Sequence, residues 1–313
     1  MALEFCRMLP NIAIAVKFPA AKGRDEEVDR ILSEHATLFY RKAVTFENDA
    51  PVHLMRSLYE KEPWLGTYEN DFDGARWKAG RCFIRRGPAH FFLLACDDKE
   101  DLMRAKARVR DLFGVSNHSM HITDTRDEAL RVAKLAFSNS SIGFVNGRCL
   151  RGTPTFDNLL LKYRNALTCV DDSDDFCIDG SGVMAAHGIR DCADLDYISH
   201  GDQRLPLTSD TLISSHNEYG KHYGEKTLDD IIFHHCNHFY LEGMKFASLA
   251  NLREWKRARG ERKDQLDVAL IDAFLATSPL SQVSAGVHWT ALHLRDCLKS
   301  TGRYVVGLAR GGG

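Results

Sequence analysis

No run of apolar residues in this 313-residue chain approaches the roughly 18 that a membrane-spanning helix requires, so no such helix is expected. The opening stretch MALEFCRMLPNIAIAVKF lacks a basic lead-in and a small-residue cleavage site, so it does not read as a signal peptide, and a cytoplasmic location is expected. No C-x-x-C pair occurs. The nine cysteines are odd in number and scattered, which argues for reduced core thiols and against a disulfide framework. Excess charge of one sign is missing too. A net charge of −2 offers no general attraction to nucleic acid. No internal repeat is visible, and 44% apolar with 27% charged residues is an ordinary globular balance.

What is present divides into two halves. In the first, NIAIAVKF reads as a buried strand and GRDEEVDRILSEHATLFY as a helix with Val28, Ile31 and Leu32 on one face. EPWLGTYENDFDGARWKAGRC has no clean period and reads as a loop. AHFFLLAC is a strand, KEDLMRAKARVRDLFG a helix with Gly114 as its C-cap, and SMHIT a strand. Thr125 and Glu128 then form a capping box before TRDEALRVAKLAF. The sum is a β-α-β-α-β-α unit. SNSSIGFVNGRCLRGTPTFDN, rich in turn formers, marks a boundary near residue 150. The expectation is an α+β (α/β) protein, with a small α/β domain over 1–150 and a second domain over 151–313 that has a mixed sheet flanked by helices and a helical C-terminal part.

The second half opens with the helix FDNLLLKYRNALTCV and an acidic loop, DDSDD. In DGSGVMAAHGIRDCADLDYI, residues 179–198, FCIDGSG reads as a strand end and a Gly-Ser turn, and GVMAAHG as a short helix. CADLDYI reads as a strand in which Asp194 and Asp196 project to one face. Backbone N–H groups at such a turn suit phosphate, and paired carboxylates suit Mg²⁺ or Mn²⁺, hard cations that prefer oxygen ligands. A lone D-x-D is common on exposed strands and at caps. Here it follows Gly180-Ser181 after twelve residues and sits among apolar neighbours, which favours the functional reading.

G-S, about a dozen residues, then D-h-D-h (h apolar) resembles the signature of the nucleotidyltransferase-fold superfamily, which includes polymerase-β-like enzymes. That resemblance implies Mg²⁺ on Asp194 and Asp196, donor phosphates at Gly180 and Ser181, and a third carboxylate from a neighbouring strand. Asp230, leading the apolar stretch LDDIIF, is the preferred third acid, with Asp229 as the alternative and a simple N-cap as the competing reading. Lys245, in GMKFASL, is a further candidate for a phosphate. EPWLG, GARWKAGRCF, NHSMHITDTRDEA, DGSGVMAAHGIRDCADLDYI and NHFYLEGMKFASL, in that order, are also similar to segments of nucleotidyltransferase-like proteins of bacterial capsule and surface-polysaccharide loci. The implied activity is transfer of a nucleotidyl, phospho-sugar or polyol-phosphate group from a nucleotide or activated phospho-sugar donor to a glycan or small hydroxyl acceptor. Two rivals stand beside it: a non-catalytic nucleotide-binding or assembly module, and an antitoxin-like nucleotidyltransferase acting on RNA or protein.

Other clusters have blander readings. His118, His121 and Asp124 could form a second site with Lys78, Arg85 or Arg86, but a strand edge with Asp124 and Thr125 engaged in capping is favoured. His234, Cys236 and His238 would share one face of an extended segment, an awkward zinc set because ligands usually come in separated pairs. REWKRARGERK is expected to be a solvated helix face, and Lys263, Asp264 and Asp267 at and beyond its end to tie the helix to the core. Trp64, Trp77 and Trp289 read as core or loop anchors. HWTALHLRDCLKS reads as a last helix, and GLARGGG as a frayed tail.

Overall fold

Residues 6–147, 153–207 and 212–276 are described by a computed structural model, on which the following account rests. Strand β1 (Ile12–Lys17) is buried along its whole length. Its alternation explains how. Ile12, Ile14 and Val16 enter the main apolar cluster, while the small Ala13 and Ala15 face a second cluster with Val28, Leu32 and Val109. Small residues on that side let the helices α1 (Asp25–His35) and α4 (Lys99–Phe113) lie close to the sheet.

Between them in the chain come β2 (Thr37–Val44), α2 (Ala50–Leu58), α3 (Asp73–Cys82) and β3 (Ala89–Ala95), and after α4 comes β4 (Met120–Ile122). All neighbours in the sheet β2-β3-β1-β4 are antiparallel. The core arrangement is therefore β-α-β-β-α-β, the split β-α-β form, in place of the β-α-β-α-β-α expected. The difference lies at TLFY, which leaves the helical run to start an edge strand. Its aromatic residues Phe39 and Tyr40 are 43% exposed, so a strand rather than a helix face carries them.

The stretch expected as a loop contains α3. Gly74 and Gly80 mask its helical pattern, and its buried face is made of Ala75, Lys78, Ala79 and Cys82. Packing requires the first glycine: a Cβ at Gly74 would stand 1.8 Å from the Trp64 carbonyl oxygen. Helix α4 does end on left-handed Gly114. The capping box is half made. Thr125 Oγ1 accepts from the Glu128 N–H at the start of α5 (Arg126–Ala136), while the Glu128 carboxylate turns to Asp124 N and His121.

The boundary expected near residue 150 falls within 148–152, outside the described residues. The turn-rich segment before it is largely helical, forming α6 (Asn139–Gly147). Then follow α7 (Pro154–Leu167), β5 (Phe176–Asp179), α8 (Ser181–Ala186), β6 (Leu195–Ser199), β7 (Ile213–Ser215), α9 (Leu228–Phe233), β8 (His238–Leu241), β9 (Met244–Ala247), α10 (Leu249–Arg259) and α11 (Arg262–Leu275). The second sheet, β7-β6-β5-β9-β8, is mixed: β5/β6 and β8/β9 are antiparallel, β5/β9 and β6/β7 parallel.

One apolar cluster runs through both halves, from Ile14 to Ile271. Phe144 of α6 stacks on Phe239 of β8 at 4.1 Å, and burying an aromatic ring of this kind stabilises by about 1.5–3 kcal/mol. Buried charge crosses the same interface. Asp174 receives Arg7 at 2.6 Å and Lys134 at 3.1 Å, and Glu242 pairs with Arg56 and Arg164. No helix among the described residues is long and apolar enough to cross a membrane. The last expected helix, Trp289 and the tail lie outside the described residues.

Candidate active site

Strand β5 ends at Asp179, and Gly180 turns the chain with φ 61 and ψ −141, a conformation that only glycine adopts without strain. Two close approaches fix the corner. A Cβ at Gly180 would lie 2.8 Å from Asp196 Oδ2, and one at Gly182 would lie 2.6 Å from Leu195 Cδ1 and 3.0 Å from Ile178 Cγ2. The glycines therefore let α8 settle on β5 and β6 while the backbone passes the aspartate.

Asp196 lies within β6, and Asp194 immediately before the strand, in the bend that leads into it. Asp194 is exposed and Asp196 is buried. Ser181 Oγ donates to Asp194 Oδ1 at 3.2 Å, and Ser214 Oγ of β7 donates to Asp196 Oδ1 at 3.1 Å. The turn serine and the first aspartate are thus in direct contact.

The third carboxylate is one that the sequence reading passed over. Asp179 is directly opposite Asp196 in the β5–β6 ladder. It is fully buried, and neither of its side-chain oxygens has a hydrogen-bond partner. Around it stand His216, whose Nδ1 is 3.9 Å from Asp179 Oδ2 and whose Nε2 is 3.3 Å from Asp196 Oδ2, and the buried Tyr223 hydroxyl, also without a partner. Burial pushes the Asp196 carboxyl above its ordinary value, and Asp194 and Asp179 push the same way against the pull of His216. Burial alone would lower the His216 imidazole, yet Asp179 and Asp196 outweigh it and hold the ring above its usual value. His216 stacks on Trp255 at 5.9 Å, and Trp255 donates to the Tyr219 carbonyl.

A supporting layer of ion pairs fixes α10 and α11 behind this group. Arg259 grips Asp264 with two bonds of 2.7 and 2.6 Å, and Arg190 grips Asp267 at 2.7 and 2.8 Å. Lys256 joins both aspartates, and Arg253 and Arg257 pair with Asp272. The basic run is thereby absorbed into helix packing, and Asp264 and Asp267 are the tethers expected of them.

Two expectations need correction. Asp230 does not head a strand: it lies in the first turn of α9, its carboxylate accepting from Thr227 N and Oγ1 in a capping box. Asp229 pairs with His200 at 2.8 Å. Capping chemistry won because Thr227 and Asp230 have the three-residue spacing that closes a helix start. Nor does Lys245 face the Gly180 turn. It is 2% exposed, donates to the Asp174 carbonyl oxygen, and is pushed down to about 8 by burial.

Of the other clusters, His121 is buried against Glu128 at 2.7 Å, and Asp124 is 3.4 Å from Lys106, a capping and packing arrangement. His118 packs on Trp77 and contacts Lys78. Trp64 and Trp77 are 41% and 59% exposed, so neither is a core anchor. His238 is buried with Nδ1 3.2 Å from the Ile231 carbonyl, apart from His234 and Cys236 on the surface.

Among the described residues, the groups of three or more metal-capable side chains with ligand atoms within 4.8 Å of one another are His121–Asp124–Glu128 and His234–His235–Cys236. The aspartates around Asp196 are spaced more widely, with His216 between them. No family model matches the chain, and no significant match emerges from curated proteins or solved structures.

Proposed function

We propose that the chain is a divalent-cation-dependent transferase that moves a nucleotidyl or phospho-sugar group onto a hydroxyl acceptor, with surface-polysaccharide synthesis as its setting. The observation that carries this reading is the buried Asp179 carboxylate, without a hydrogen bond and directly opposite Asp196, with Asp194 two residues before Asp196 and the Gly180–Ser181 turn against them. Buried carboxylates cost several kcal/mol unless cations compensate them, and Asp179 and Asp196 share the single His216 imidazole. Oxygen donors alone fit Mg²⁺ or Mn²⁺ better than a softer metal. Asp179, Asp194 and Asp196 would hold the cation, which when bound supplies charge neutralisation for the transferred phosphoryl oxygens.

The chain's own residues do the rest. Ser214 and Ser181 orient the two D-x-D carboxylates, and Gly180 keeps the backbone low enough for a ligand to approach them. His216 stands between the buried pair, 3.9 Å from Asp179 and 3.3 Å from Asp196, and offsets their charge. A cleft of about 870 Å³ between the halves, bounded by α2, α5 and α7, with Arg131, Arg164, Phe72 and Leu161 in its walls and apart from the aspartates, is a candidate binding place for a second molecule. Its mixture of acids, guanidinium groups and apolar side chains suits a polyhydroxyl molecule.

The test is a thermal-shift screen of nucleoside triphosphates, nucleotide sugars and other activated phosphates with and without Mg²⁺, comparing the native chain with Asp194→Asn. A metal-dependent rise confined to the native chain supports the reading, because binding to the native state alone stabilises it. Equal shifts in both proteins would overturn it. Metal-dependent binding without transfer to any hydroxyl acceptor would favour a nucleotide-binding module instead.

A further inference from the structure

The surface turn between α9 and β8 carries three metal-capable side chains in succession, and they converge. His234, His235 and Cys236 are all exposed, and their ligand atoms lie within 4.8 Å of one another. The two imidazoles stack at 5.0 Å, 21° from parallel, which sets them side by side. We propose that His234, His235 and Cys236 bind one transition-metal cation of the zinc class, with a fourth position open to solvent.

The turn is held rather than loose. His234 N donates to the Asp230 carbonyl at 3.2 Å, and Asn237 N to the His234 carbonyl at 2.8 Å. Asn237 Nδ2 donates to the Asp230 carbonyl at 2.9 Å, and the Asn237 carbonyl accepts from Ser248 N at 2.8 Å. Ser140 Oγ of α6 donates to the His235 carbonyl at 3.1 Å. Backbone pinning on both sides of the three ligands lowers the entropy lost on binding.

The donor set selects the metal. Two imidazoles and a thiolate suit Zn²⁺, Co²⁺ or Cu²⁺, whereas Mg²⁺ prefers oxygen. Tetrahedral bonds of about 2.0–2.3 Å place ligand atoms roughly 3.3–3.7 Å apart. The present spread need shrink by only about 1 Å, within reach of χ rotation in exposed side chains. Binding replaces the Cys236 thiol proton with the metal, so one proton leaves for each cation bound.

The site is chemically separate from the aspartates. His238 pairs with Ala247 in β8–β9 while Ile178 pairs with Phe246, so the turn before His238 stands at the same end of the sheet as Asp179, two strands away. A cation there does not depend on the transferase reading.

The experiment titrates the metal-stripped full chain with Co²⁺, read by the thiolate-to-cobalt absorption in the near ultraviolet and displaced by Zn²⁺. The native chain and Asp194→Asn are expected to show the same thiolate-to-cobalt absorption, saturating at one thiolate-bound Co²⁺ per chain. Cys236→Ser is expected to lose the absorption, and His234→Ala with His235→Ala to weaken binding about tenfold or more, in keeping with loss of direct ligands. These side chains are on the surface, so the variants fold, and unchanged circular dichroism verifies it. An undiminished thiolate band in Cys236→Ser, or unchanged affinity in the double histidine variant, would overturn the proposal, and so would failure of the native chain to bind Co²⁺.

Discussion

Asp179 and Asp196 face each other across adjacent antiparallel strands, one fully buried and without a hydrogen bond, the other held by Ser214 and His216. Two acids so placed are unfavourable for folding alone. Replacing Asp179 with Asn removes a buried charge that has only the shared His216, 3.9 Å away, to offset it, while keeping the shape. The variant without metal is expected to match or exceed the native chain in stability, by up to about 1–3 kcal/mol, while losing transferase activity by two orders of magnitude or more. Urea unfolding and an activity assay with the donor found by screening check the two halves. A destabilised but active variant contradicts the assignment.

Gly180→Ala is expected to act on both levels. The left-handed backbone there costs a side chain about 1–3 kcal/mol, and the new Cβ would press on Asp196 Oδ2 at 2.8 Å. Stability should fall and metal affinity with it. Gly188→Ala is the control, because Gly188 also has positive φ but a Cβ there meets no atom within 4 Å. If the two variants bind metal equally, the Gly180 approach is not what shapes the site.

Lys245→Met distinguishes an interior partner of Asp174 from a phosphate ligand. Lys245 serves Asp174 from the interior, so its loss should lower stability by about 1–3 kcal/mol and leave donor affinity unchanged. A large rise in donor KM at unchanged stability would restore it as a phosphate ligand.

Asp174 links the halves and gives a pH dependence of known sign. Burial raises its carboxyl, but Lys134, Lys245 and Arg7 outweigh this and hold it below the ordinary 3.8. Asp267 is likewise held below 3.8, with Arg190 and Lys256 outweighing burial. A depressed carboxylate contributes stability that is present above the unfolded value and lost as pH falls through the folded one. Stability is therefore expected to decline as pH drops below about 4, and Asp174→Asn should flatten that decline. The variant should also cost about 3–5 kcal/mol at neutral pH, since it leaves buried cations without their carboxylate. Melting curves from pH 2.5 to 7 measure both.

Several elements were legible because their signal is local. The apolar run of β1, the spacing of Val28, Ile31 and Leu32, the cap at Gly114, and the strand-turn-helix-strand order around DGSG each depend on a few consecutive residues and a backbone geometry with a short period. The two-residue spacing of Asp194 and Asp196 follows from the same local rules, whereas the bond from Ser181 to Asp194 joins residues thirteen apart and needed the fold. Where local rules competed, the sequence left the outcome open. TLFY could continue a helix or begin a strand, and Asp230 could lead a strand or cap a helix. The exposed aromatic edge of β2 and the capping box of α9 settled them.

The chain by itself determined an α+β protein with two aspartates beside a Gly-Ser turn, because periodicity and turn chemistry are properties of neighbouring residues. Tertiary structure decided which other groups join them. Asp179 meets Asp196 through strand register, His216 arrives from beyond β7, and Tyr223 comes from the turn that follows. Register and packing are sums over contacts far apart in sequence. For the same reason, only the fold could separate the buried His238 from the exposed His234 and Cys236.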